Sequence, residues 1–161
     1  MENGEIQIEH KAILQEVALW NFANGEALYN VKPLSTIKED NVWYTQSNDD
    51  KVIYAFYVRK DYEDWKYGER KNILLANIEG NSNTKVSVLG YKSELVEYKI
   101  DFDAKLYHVS TPIGLLISAV NGQRFYTNNQ WPNAVVLKIE NASFRKNTKT
   151  KINQINIDGA K

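Results

Sequence analysis

Residues 20–34, WNFANGEALYNVKPL, set the limits on what this sequence can fold into. Upstream of them, apolar residues recur at the three- and four-residue steps of a helix. Downstream, they follow the two-residue rhythm of strands. Between the two stand Asn24-Gly25, a pair that tolerates the left-handed conformation of a helix C-cap, and Pro33. Pro33 lacks an amide donor and pushes Lys32 toward extended geometry. The chain therefore divides into a helix within residues 1–29, a strand-rich body over 30–141, and a polar tail over 142–161.

The helix is expected over residues 5–24. Ile6, Ala12, Ile13, Val17, Trp20 and Asn24 form its stripe, and Leu14 and Ala18 widen it. Such a face must be covered, and within this chain only the strand-rich body can cover it. In that body Val42–Gln46 (VWYTQ), the polar turn at 47–50 and Val52–Val58 (VIYAFYV) read as a hairpin. Further strands are expected at Asn72–Ile78, Thr84–Leu89, Leu95–Ile100, Gly114–Val120 and Val135–Ile139. Arg59–Arg70 reads as a charged, aromatic loop, Asp101–Thr111 as irregular and Asn121–Trp131 as a polar connection. Ile152, Ile155 and Ile157 could add one strand to an otherwise flexible tail. The fold class is thus mainly β: an antiparallel β-sandwich preceded by one amphipathic N-terminal α-helix.

Composition removes several functions. With no cysteine there is no disulfide framework, thiolate metal site or cysteine nucleophile. Lys plus Arg equals Asp plus Glu at 20 each, and the charges are interspersed, which argues against a surface that tracks phosphates and so against a nucleic-acid partner. No apolar run approaches the ~20 residues that a membrane span needs. His10 and His108 are too far apart in sequence for a local ligand motif, His10 reads as a solvated residue on the polar side of the helix, and no phosphate loop, dinucleotide fingerprint or nucleophile elbow occurs. No metal and no cofactor is expected. The adjacent acidic pairs Glu39-Asp40, Asp49-Asp50 and Glu63-Asp64 all fall in turns or loops, where carboxylates are mostly solvated. Trp43, Trp65 and Trp131 raise sugar stacking. Trp43 lies in an alternating strand and reads as core or half-core, Trp131 as an anchor of its connection, and Trp65, in the charged loop, as the best candidate for an exposed ring and a weak candidate sugar contact, or equally as a lid on the sandwich end.

Several stretches resemble the α-L-fucosidases of glycoside hydrolase family 29. Trp20 followed by Asn24-Gly25-Glu26-Ala27-Leu28-Tyr29 is similar to the segment closing the last helix of that family's catalytic (β/α)₈ barrel, and Asn3-Gly4-Glu5-Ile6 to the turn that opens it. Asn41–Ser47, Tyr54-Ala55-Phe56, Ser87-Val88-Leu89-Gly90, Gln123-Arg124-Phe125-Tyr126 and Trp131–Ile139 resemble the C-terminal β-sandwich of bacterial members. The resemblance is collinear over about residues 3–140. It departs at Val31, Lys32 and Leu34, where the family often has Thr, Arg and Trp around the proline, and nothing after Asn141 matches.

The resemblance implies a parent exo-glycosidase that releases α-L-fucose by a retaining mechanism, with a carboxylate nucleophile and a carboxylic acid/base. In the family both lie on the barrel, and no position here matches the nucleophile motif, so no catalytic residue is assigned. The chain is then the last barrel helix plus an accessory sandwich, Met1 stands at an internal point of the parent, and a periplasmic or secreted location follows from the family alone. Ile6, Ile13, Val17 and Trp20 are the candidate face for the catalytic barrel, or for self-association in its absence. Two other functions compete with the accessory role. A carbohydrate-binding module needs a groove with exposed, coplanar aromatic rings. A free-standing enzyme needs a deep pocket with convergent carboxylates or a histidine dyad.

Overall fold

The computed structural model describes residues 6–61, 63–66, 68–90, 105–121 and 134–145. The expected strand Leu95–Ile100, Trp131 with its connection, and Ile152, Ile155 and Ile157 lie outside them. Among the described residues the fold is one N-terminal helix, α1 (Ile8–Asn24), followed by ten strands: β1 (Val31–Glu39), β2 (Val42–Ser47), β3 (Val52–Tyr57), β4 (Arg70–Leu75), β5 (Ile78–Glu79), β6 (Lys85–Val88), β7 (Tyr107–Thr111), β8 (Gly114–Val120), β9 (Val135–Glu140) and β10 (Ser143–Phe144). They form a five-stranded sheet ordered β1-β2-β3-β9-β6, a three-stranded sheet ordered β4-β8-β7, and the short pair β10-β5, and every pairing is antiparallel.

Alternation explains the layering. Val42 and Tyr44 of β2, Ile53, Ala55 and Tyr57 of β3, and Val135, Leu137 and Ile139 of β9 point from the large sheet into one core. Ile73 and Leu75 of β4 and Leu115, Ile117 and Ala119 of β8 meet them from the small sheet. This is the sandwich expected from the sequence. Register agrees with it: Ile53, Ala55 and Tyr57 stand opposite Ile139, Leu137 and Val135. Glu39 ties the layers at one end, its carboxylate accepting from the backbone N–H groups of Ala76 and Asn77 at 2.8 and 3.0 Å.

Several expectations need correction. The segment ending at Leu34 is no mere exit from the helix, because β1 continues to Glu39. Its proline is tolerated because β1 is an edge strand, and its register shifts between Pro33 and Lys38. Tyr107–Thr111 is an ordered strand rather than irregular chain. As an edge strand with Tyr107, His108, Val109 and Ser110 all exposed, it carries no alternation to betray it. Ser143–Phe144, past the expected start of the tail, pairs with β5. The helix does not end in a left-handed cap at Gly25, whose φ is −56°. It tightens into a 3₁₀ turn over Gly25–Ala27, and the left-handed residue is Asn30, with φ 60°. Trp43 is not core: Val42 and Tyr44 point inward, so Trp43 must point out, 44% exposed with the Lys38 ammonium 5.1 Å from its ring centre.

Gly114 opens β8 at φ +146°, and a Cβ there would fall on the carbonyl oxygen of Leu75 and 2.7 Å from Ala76 Cα. Gly114→Ala should therefore lower unfolding free energy in urea by about 2 kcal/mol or more. An unchanged midpoint would show that the β4–β8 approach is looser than described.

Candidate functional site

Two regions carry the residues singled out from the sequence: the seat of α1 on the large sheet and the loop holding Trp65. At the seat, the outer face of the large sheet is apolar where β3 and β9 cross it. Tyr54, Phe56 and Val136 are buried there with Ala27 and Leu89, and Trp20, Val31, Val52 and Ala134 pack against them. Trp20 lies tilted over Phe56, ring centres 6.4 Å apart, and its indole N–H donates to the Ala134 carbonyl oxygen at 2.9 Å. One turn later Asn24 is fully buried and its amide donates to the Trp20 carbonyl oxygen. That inward turn of Asn24 keeps it out of the left-handed region, and the extra 3₁₀ turn then carries Ala27 onto the sheet. There the Ala27 carbonyl accepts from Thr45 Oγ1 at 3.0 Å.

Among the described residues nothing comparable holds the rest of the helix. Of the four face residues expected from the stripe, Trp20 is engaged by the chain's own sandwich and Val17 is half-buried, whereas Ile6 and Ile13 are exposed. Sequence reading missed a second set. Ile8, Leu19 and Phe22, on the opposite side of the helix, are exposed at 87, 49 and 75%. The signal was available in the spacing of Ile8, Gln15 and Phe22, one heptad apart.

Beside the seat runs an open groove of about 660 Å³, walled by Phe22, Ala23 and Glu26 on one side and by Val86–Gly90 on the other. Its polar groups include Lys138, ion-paired with Glu26 at 3.0 Å, and Glu140. Burial works to lower the Lys138 ammonium, but its hydrogen bond and ion pair with Glu26 hold it above the usual lysine range.

The Trp65 loop is not the solvated strap that its charges suggested. The Trp65 ring is 1% exposed and stands edge-on to Tyr57 at 5.4 Å. Its N–H donates to the Glu69 carbonyl, and its own carbonyl accepts from the buried side chains of Arg59 and Asn121. A ring so enclosed has no face for a sugar, and the weak sugar-contact reading of Trp65 is withdrawn. Its backbone sits at φ 136°, a conformation that costs a non-glycine residue and is held here by those bonds. Asp64 locks the loop, accepting from the Tyr57 hydroxyl, the Lys60 amide and the Lys71 ammonium. Burial works to raise the Asp64 carboxyl, but the hydrogen bonds from Lys71 and Lys60 and the Lys71 charge outweigh it and hold the carboxyl below the usual range.

The acidic pairs build turns rather than a reaction centre. Asp49 accepts from Ser47 Oγ and the Lys51 amide, and Glu39 caps the β4–β5 turn. His10 and His108 are exposed. Among the described residues no group of three or more histidines and carboxylates is placed to hold a metal ion, and no helix is long and apolar enough to cross a membrane.

No protein-family model and no curated protein matches the sequence. Solved structures do match. A bacterial fucosidase crystallised with a pyrrolidine-triazole inhibitor aligns over 91% of this chain and 27% of its own, at TM-score 0.51 and 20% identity. A family 29 α-L-fucosidase from Bacteroides thetaiotaomicron aligns over 86% of this chain and 26% of its own, at TM-score 0.47 and 18% identity. The first likeness is one of fold, and the chain spans about a quarter of that fucosidase's length.

Two substitutions test these two regions. Trp20→Phe removes the N–H that reaches Ala134 and should cost about 1 kcal/mol in urea unfolding. No loss would mean that the bond does not hold the seat. Asp64 has a depressed carboxyl in the folded state, so its contribution is present above the ordinary aspartate range and is lost as pH falls through the folded value. Asp64→Asn should be less stable at neutral pH and lose less stability than the parent below about pH 4. Parallel acid limbs for the two proteins would rule out this role.

Proposed function

We propose that this chain is a non-catalytic accessory β-sandwich of a glycoside hydrolase that acts on α-L-fucosides, and that it supports a catalytic (β/α)₈ barrel outside this sequence. The observation that carries the reading is the shared fold: nearly the whole chain aligns with roughly a quarter of a bacterial fucosidase. The collinear resemblance of residues 3–140 to the end of family 29 enzymes supports it, as does the uncovered length of α1. The retaining chemistry would then belong to two carboxylates of the barrel, and this chain supplies neither. A periplasmic or secreted location belongs to the same proposal.

The sandwich's own part is mechanical. It fixes the last turn of α1 through Trp20, Asn24 and Ala27 and presents the remainder of the helix to the barrel. Of the three tryptophans considered for stacking on a pyranose, Trp65 is enclosed and Trp43 lies under Lys38, which disfavours sugar binding at those two, and Trp131 lies outside the described residues.

The test is turnover of a chromogenic aryl α-L-fucoside by the purified chain at high concentration. The expected result is no rate above buffer. Turnover that survives repurification would overturn the reading and place a reaction centre within these residues.

A further inference from the structure

Asn24 is fully buried at the seat of α1, and glycine follows it. Asparagine before glycine is especially prone to lose its side-chain amide, because the glycine nitrogen carries no Cβ past the asparagine side chain as it swings onto it. Here that swing is blocked. Asn24 holds φ −114° and ψ 9°, which turns the Gly25 nitrogen away from the carboxamide carbon. The carboxamide itself is tied to the Trp20 carbonyl oxygen at 2.9 Å. Rotating either group requires the last turn of α1 to lift off the large sheet, where Trp20 and Ala27 are bonded to Ala134 and Thr45. Gly25 has φ −56°, which any residue adopts, and an added Cβ there would meet only the Tyr29 ring, at 3.3 Å.

We propose that Asn24-Gly25 is a deamidation site guarded by the seat, and that modification there releases the helix end for good. In the opened state the Gly25 backbone nitrogen attacks the side-chain carbonyl carbon of Asn24. The bond from that carbon to the side-chain nitrogen breaks, ammonia leaves with the former Gly25 amide proton, and a five-membered succinimide forms. Water then adds to one of the two ring carbonyls and opens the ring to aspartate or to isoaspartate, each with one new carboxylate. Neither product fits the seat. One carboxylate oxygen of aspartate would face the Trp20 carbonyl oxygen to which the amide now donates. The other would stand where Asn24 Oδ1 stands, buried and without a hydrogen-bond partner. A buried carboxylate without donors costs far more than the neutral amide it replaces. Isoaspartate also lengthens the backbone by a methylene between Trp20 and Ala27, which shifts one anchor against the other. The inner core lies on the opposite face of β3, so the sandwich stays folded, though less stable, once the helix end is free. The proposal concerns this chain's own seat and is independent of the fucosidase reading.

Peptide mapping by mass spectrometry, with isoaspartate resolved from aspartate, tests it after incubation at mildly alkaline pH. Modification at Asn24 is compared between the whole chain and a synthetic peptide of residues 20–29. The whole chain should react at least about tenfold more slowly, since the reaction waits on local opening. Trp20→Ala, which removes an anchor, should bring the rate to within a few-fold of the peptide's. Gly25→Ala, at a φ that suits alanine, should suppress modification in chain and peptide alike. Asn24→Asp made directly should leave the Trp20–Ala27 amides exchanging as fast as those of Ile8–Leu14, with β3 and β9 still protected. If Trp20→Ala does not fold, the unsubstituted chain in rising, sub-denaturing urea decides, because its modification should accelerate in step with exchange of the Trp20–Ala27 amides. An unsubstituted chain modified as fast as the peptide overturns the proposal. So does a folded Trp20→Ala chain modified no faster than the unsubstituted one, modification undiminished by Gly25→Ala, or an Asn24→Asp chain whose helix end stays protected or whose sandwich is lost with it.

Discussion

Strand β3 is covered on both faces, and the rest of the molecule is arranged around that requirement. Val52–Tyr57 is buried from Ile53 onward, so its alternate side chains need two separate apolar environments. One is the sandwich core, where Ile53, Ala55 and Tyr57 meet the small sheet. The other is the outer patch of Tyr54 and Phe56, which the small sheet cannot reach. Burying each such side chain contributes about 1.5–3 kcal/mol, so leaving the outer patch bare would forfeit a large share of a typical domain's net stability. Trp20, Ala27 and Leu89 cover it, and α1 is attached for that reason.

The attachment is local, and its locality shapes the function proposed. Covering two aromatic side chains takes one turn of helix and the 3₁₀ turn that follows. Among the described residues the preceding turns of α1 are mostly exposed, with Glu16 and Val17 half-buried, yet they carry isoleucine and leucine on more than one side. A helix with apolar residues on more than one side is suited to lie between two bodies. This chain supplies one of them.

Much of this was legible in the sequence, and the gaps have physical causes. The run VIYAFYV announces a doubly buried strand, and Gly114–Val120 and Val135–Ile139 announce core strands, because both faces of those segments are committed. Edge strands announce little. Tyr107–Thr111 is exposed on both faces, and Pro33 disguises β1 as a connection. The Trp65 loop misled because its charges alternate as in a solvated strap. Its folding depends instead on partners outside the loop, the distant Asn121 for the Trp65 carbonyl and the nearer Lys71 for Asp64, and charge alternation within the loop does not reveal them. Trp20 reads as part of a stripe that the strand-rich body would cover within this chain and that would face a barrel by the resemblance. The positions of Phe56 and Ala134 show which part of the chain's own sheet takes it.

The central claim is that, among the described residues, the sandwich holds α1 by its C-terminal end. Amide hydrogen exchange at residue resolution tests it most directly. The account requires Trp20–Ala27 to exchange nearly as slowly as β3 and β9, with the amides from Ile8 to Leu14 exchanging orders of magnitude faster. One uniform rate along the whole helix, whether as slow as β3 or as fast as free chain, would contradict it.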